Sequence, residues 1–276
     1  MKLIFRKINF TLGSVFLLLV LVLPISSHNM APVRIGYHYA GILIPLYSGP
    51  SYDQKDWDNI LWASREKIPL AVIVNPNNGP GTHLHSDYLS IIGLLKRAGN
   101  KALGYVPTDY AKTPLPQVRK DISLYINEYK VNGIFLDEMA DVYSKKNFLY
   151  YKHIVLYARK LAPNLTIFAN PGINFSQRFL ATGINTFVDE EDSAVAVNKN
   201  IQSPWVTNYP DGRFAQIAIA AKNNVSEIGY LLSRHHIGWV YSTTYALHSY
   251  DNNPYAHLPA DFRKEVLYVK KLNENQ

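Results

Sequence analysis

Eight short apolar runs, separated by longer amphipathic segments, limit what this chain can become more than any other feature of it. The runs are GILIPLY (41–47), LAVIVNP (70–76), ALGYVPT (102–108), GIFLDE (133–138), LTIFANP (165–171), TFVDEE (186–191), FAQIAIA (214–220) and IGWVYST (237–243). Each has the length of a strand, is rich in β-branched and aromatic residues, and is apolar continuously rather than at every second position. That is the pattern of strands covered on both faces. Between the runs lie stretches with apolar residues at helical spacing, over 88–98, 115–129, 143–161, 225–234 and 260–272; Val118, Ile122, Tyr125 and Ile126 illustrate the period.

Strands alternating with helices, eight times in one domain of this length, predict a closed α/β structure, a single (β/α)8 TIM-type barrel over residues 31–276. A doubly wound open sheet is the alternative. Its nucleotide-binding forms lose support because no GxGxxG or GxxxxGK[ST] follows the first run. A hydrophobic content of 47% with 18% charged residues suits an ordinary globular core, and the absence of cysteine removes disulfides, thiolate metal sites and a Cys nucleophile together.

Residues 1–30 read as a signal peptide or N-terminal anchor: Lys2, Arg6 and Lys7 precede the uncharged run at 15–23, followed by Pro24 and a polar stretch. Cleavage is favoured, since the apolar stretch falls short of the roughly 20 residues of a membrane span. The expected location is secreted, periplasmic or cell-surface, with membrane contact only through this segment if it is kept. The net charge of +7 drops to +4 once the three leader cations are set aside, because no Asp or Glu precedes residue 31. The other Lys and Arg are scattered along the sequence, which argues against a nucleic-acid partner. The expected mature form is a monomer.

In a (β/α)8 barrel the residues closing each strand line the working face. Here they are Asn75 to Gly81 after the second run, Thr108, Asp109 and Tyr110 after the third, Asp137 and Glu138 after the fourth, Asn170 after the fifth, and Asp189 to Asp192 after the sixth. Carboxylates thus concentrate on strands four and six. Glycosidic bond cleavage needs two carboxyl groups flanking one bond. Asp137 and Glu138 are neighbours whose side chains diverge in a strand, so one of them is expected to partner a strand-six acid, chosen as Glu191. The plainer readings are first-turn helix acids for Asp137 and Glu138, a solvated loop for 189–192, and a Pro/Gly turn for 75–81. Tyr47, Tyr105, Tyr110 and Tyr241, with Tyr245 and Tyr255, fall at or after strand ends, where each serves either as core or as a platform for sugar rings. His83, His85, His235 and His236 lack metal-ligand spacing, and no GxSxG elbow is present, so neither a metal nor another cofactor is expected.

The segments GILIPLY (41–47), VIVNPNNGPG (72–81), LGYVPTDY (103–110), VNGIFLDE (131–138), ANPG (169–172), EDS (191–193), GWVYST (238–243) and NPYAHLP (253–259) resemble, in this order, the spherulin-4-like (spherulation-specific) family, related to glycoside hydrolase family 135. The resemblance implies a (β/α)8 barrel and endo-acting cleavage of α-1,4-linked N-acetylgalactosamine-containing exopolysaccharide of a biofilm or cell-wall matrix. It carries catalytic roles onto Asp137, Glu138 and Glu191. The residue before that glutamate, often aromatic in the family, is Glu190 here, and Pro107, Ile219 and Thr244 also depart from the family pattern. The combined expectation is a polysaccharide hydrolase of retaining mechanism, with Asp137 as nucleophile, Glu191 as general acid/base, Glu138 in support, and Tyr47, Asn75, Tyr105, Tyr110, Asn170 and Tyr241 binding sugar. Its rival is a non-catalytic polysaccharide-binding or coat protein.

Overall fold

The structure, a computed structural model, describes residues 40–194, 202–246 and 253–275. The leader expected over 1–30 lies outside the described residues. Among the described residues no helix is long and apolar enough to cross a membrane.

All eight expected strands form: β1 (Gly41–Ile44), β2 (Leu70–Val74), β3 (Lys101–Pro107), β4 (Gly133–Asp137), β5 (Thr166–Gly172), β6 (Thr186–Asp192), β7 (Phe214–Ile219) and β8 (Trp239–Ser242). They pair in parallel, each with the next, and β1 closes on β8. The barrel, not the open sheet, is therefore the fold. Among the described residues, six complete helices cover it: α1 (Gln54–Ala63), α2 (Asp87–Arg97), α3 (Leu115–Leu124), α4 (Lys145–Leu161), α5 (Asn224–Arg234) and α6 (Phe262–Glu274). A π turn over Tyr125–Tyr129 extends α3, and Lys130 ends it in left-handed backbone.

The expectation of a helix after every strand fails in one place. A 3-10 turn, Gln177–Thr182, replaces a helix after β5, where Pro171, Gly172 and Gly183 punctuate a short connection. After β6, Ser193 and Ala194 are helical, and the described residues from 202 onward add the short turns Pro204–Asn208 and Asp211–Arg213.

Two layers of apolar contact hold the fold. Inside the barrel, Phe168 of β5 meets Trp239 of β8 at a ring separation of 5.3 Å, although those strands are not neighbours; both side chains must point inward. Gly41, paired with Trp239, makes room for that indole: a Cβ there would lie 2.6 Å from it. Outside, the buried faces of the helices lie against strand residues such as Val72, Ile134 and Ile167. At the end where strands begin, asparagines in the helix-to-strand turns tie neighbouring strand starts together: Asn100 accepts from Leu70 N–H, Asn132 from Ala102 N–H and Asn185 from Ile167 N–H. The opposite end carries the strand-closing polar residues.

Candidate functional site

Strand register decides which polar residues reach the inside of the mouth. Phe135 pairs with the inward Phe168, so Asp137 and Asn170, each two positions further on, share that inward face. Tyr105 pairs with Phe135 and faces the same way, and Tyr47, just past β1, sets its ring against Tyr105 at 5.5 Å.

At the centre of the site stands the Asn170 amide. Its oxygen accepts the Gly172 backbone N–H at 2.9 Å, which fixes the orientation of the group and turns the NH2 toward two acids. That nitrogen donates to Asp137 Oδ1 at 2.9 Å and to Glu190 Oε2 at 2.6 Å. The two carboxylate oxygens are therefore no farther apart than these bonds laid end to end, about 5.5 Å. Each acid has a second donor: the Tyr105 hydroxyl gives its proton to Asp137 Oδ2 at 2.6 Å, and the Tyr255 hydroxyl to Glu190 Oε1 at 2.5 Å. Tyr47 lies between these two tyrosines, 5.3 Å from the Tyr255 ring.

The electrostatics separate the two acids. Burial, and next the charge of Asp137, push the Glu190 carboxyl above its ordinary value, while the bonds from Tyr255 and Asn170 work in the opposite direction and do not reverse it. Glu190 is thus biased toward its protonated form. Burial first, and then the charge of Asp137, raise the hydroxyls of Tyr47 and Tyr105 well above 10, so Tyr105 acts as a donor throughout the accessible pH range.

The geometric partner of Asp137 is Glu190 rather than the expected Glu191. Side chains alternate along β6, so Glu191 shares the face of Asp189, and the charge of Glu191 is the second cause, after burial, that raises Asp189 to about 7. Asp189 accepts from Gln216 at 3.4 Å, and Gln216 in turn meets His235, on the outer side of the β6–β7 pair.

The remaining expected residues divide between mouth and support. Glu138 is exposed at the rim in left-handed backbone (φ 52°), and its carbonyl accepts the Tyr110 N–H at 2.7 Å. Tyr110, 53% exposed, is open to a ligand. Half-buried Asn75 spends its carbonyl on the Gly79 N–H at 3.0 Å, closing its own loop. Tyr241 is a correction: it is fully buried against Tyr255 and offers no surface to a sugar. Tyr255 comes from the strap between β8 and α6. That strap is latched by Tyr47 N–H to the Tyr255 carbonyl, by Leu258 N–H to Asp56, and by His257 to Asp53 at 2.7 Å. Asp53, Asp56 and His257 bring potential metal-ligand atoms within 4.8 Å of one another, and the latch already engages all three.

Comparison with known proteins gives a consistent result. The model of a family described as spherulation-specific family 4 matches residues 41–269. Spherulin-4 of Physarum polycephalum is 30% identical over 171 residues, which are 61% of this chain and 49% of that protein, so the chain spans about half the length of this curated relative. Among solved structures, Aspergillus clavatus Sph3 in complex with GalNAc superposes with a TM-score of 0.70 at 21% identity, covering 84% of this chain and 98% of that one. Active domain 2 of a Pyrococcus furiosus chitinase, complexed with chito-oligosaccharides, gives 0.53 at 10% identity, covering 87% and 96%. At these identities the likeness establishes the fold.

Proposed function

The chain belongs to spherulation-specific family 4, and from that premise we propose that it is a glycoside hydrolase in which Asp137 and Glu190 cleave an amino-sugar polysaccharide. The observation that carries this reading is the Asn170 amide held between two carboxylates from non-adjacent strands. Their spacing, at most about 5.5 Å, suits retention, for which the groups stand roughly 5–5.5 Å apart, rather than inversion, which leaves roughly 6.5–9.5 Å for a water.

Asp137, held by Tyr105 and Asn170, attacks the anomeric carbon. Glu190, biased toward protonation, gives its proton to the departing glycosidic oxygen. The covalent glycosyl intermediate on Asp137 is then hydrolysed by water, with Glu190, now a carboxylate, accepting the water's proton. Glu138 and exposed Tyr110, neighbours on the rim, contact the polymer beside the bond. Endo cleavage of α-1,4-linked N-acetylgalactosamine chains is the substrate assignment supported by the family resemblance and by the GalNAc carried by Sph3. The reading of residues 1–30 as a signal peptide or N-terminal anchor supports action outside the cytoplasm, by a monomer on a matrix polymer.

The test is reducing-end release from a panel of amino-sugar polysaccharides. Wild type should release ends and Asp137→Asn should not. Polymer binding without release by either protein supports the rival, a polysaccharide-binding or coat protein, and sinks the hydrolase.

A further inference from the structure

Lysines and arginines that are scattered along the sequence gather at one end of the barrel. Every helix here runs back toward the face where strands begin, so each helix-to-strand turn delivers its residues to that face. Arg65 and Lys67 follow α1, Lys96 and Arg97 form the last turn of α2, Lys130 ends the π turn after α3, and Lys271 lies in the last turn of α6. All six are exposed. Because α1 packs against α2 and α6, and α2 against the π turn, they form one continuous arc of rim. The acids nearby are Glu66, already bonded to Lys270 at 2.9 Å, with Glu128 and Glu274.

Helix dipoles account for Lys96, Arg97 and Lys271. They serve equally for Lys130, which caps the π turn, but not for Lys67, which lies beyond the end of α1 in a turn at φ 59°, a backbone shape that favours glycine or asparagine. An exposed arc of one sign suits a partner surface of the opposite sign. The chain itself indicates which: Ala40, at the start of β1, is clamped in both directions by Asn273 of α6, at 3.0 and 2.9 Å. Residues 31–39, and the segment 1–30 with Lys2, Arg6, Lys7 and the apolar run at 15–23 where it is kept, are joined at this same end. Asp137 and Glu190 sit at the other.

We propose that this cationic rim docks on an anionic phospholipid surface, with the carboxylate-lined mouth facing away from the bilayer. A lysine or arginine near such a surface strengthens binding about fivefold, so reversing three of them weakens it by more than about a hundredfold. The test is co-flotation of the full chain with phosphatidylcholine vesicles, with and without phosphatidylglycerol, at low and high salt. The expected result is strong binding to the anionic vesicles, weakened by salt and lost in the triple variant Arg65→Glu, Arg97→Glu, Lys271→Glu. That variant should still unfold cooperatively in a thermal melt, at a midpoint lowered only slightly by the lost helix-end charges, which separates loss of docking from loss of fold. Equal binding to neutral vesicles, or undiminished binding by the folded variant, overturns the proposal. Tighter association with duplex DNA than with anionic vesicles at equal salt overturns it as well and assigns the rim to nucleic acid.

Discussion

Replacing Asn170 by alanine isolates the arrangement on which the site depends. In the wild type one amide nitrogen satisfies an oxygen of Asp137 and an oxygen of Glu190 at once. Asn170→Ala removes two hydrogen bonds to carboxylates, each contributing about 1.5–3 kcal/mol when the acceptor is charged. It also removes the amide dipole that screens two acids no more than about 5.5 Å apart, whose bare repulsion is about 3 kcal/mol at an effective dielectric near 20. Water refilling the gap offsets part of this, so a net loss of about 2–4 kcal/mol is expected at pH 8. At about 2–4 °C per kcal/mol in a domain of this size, the midpoint should fall by about 5–15 °C. The sign of the pH dependence follows from Glu190. Its folded-state value is raised, so its favourable contribution is present at low pH and is lost as pH climbs past the ordinary Glu value toward the raised one. Protonation of Glu190 removes the repulsion, and the deficit of the variant should shrink at pH 5. Thermal unfolding of both proteins at pH 5 and pH 8 checks this; an equal deficit at both values would refute the reasoning.

Asp189, raised to about 7 from 3.8, costs the fold stability as pH rises through that window, by at most about 4 kcal/mol at about 1.4 kcal/mol per pH unit. Asp189→Asn should flatten the fall in melting temperature between pH 4 and pH 7, and an unchanged slope would count against a buried, charge-crowded Asp189. The Tyr255 hydroxyl favours the charged form of Glu190, so Tyr255→Phe should move the alkaline limb of the kcat/KM profile to higher pH; movement to lower pH would contradict the assigned bond. At Gly104 a Cβ would lie 2.3 Å from Tyr125 Cγ, so Gly104→Ala should destabilise by about 1–3 kcal/mol or more, read by denaturant unfolding.

Much of the barrel was legible because its strands are buried on both faces and so stand out as continuous apolar runs, from Leu70–Val74 to Phe214–Ile219. Asp137 and Asn170 were legible for a related reason, as polar residues ending such runs. Glu190 was not. In a strand a one-residue choice turns a side chain to the opposite face, and the register between β5 and β6 shifts between Ala169 and Gly172, upstream of the acids. Tyr255 could be noted as an aromatic past the last strand. Its reach to Glu190, 65 residues away in sequence, depends on the latched strap and leaves no local pattern. The cationic rim was hidden likewise, since its members come from turns far apart in sequence.

The most direct measurement of the central claim compares Glu190→Gln with Glu191→Gln for reducing-end release from a cleaved amino-sugar polymer. If Asp137 and Glu190 form the reacting pair, Glu190→Gln should lose at least about a hundredfold in kcat, the scale of general acid catalysis, while Glu191→Gln stays within about tenfold of wild type. A near-normal rate in Glu190→Gln with collapse in Glu191→Gln would contradict the account.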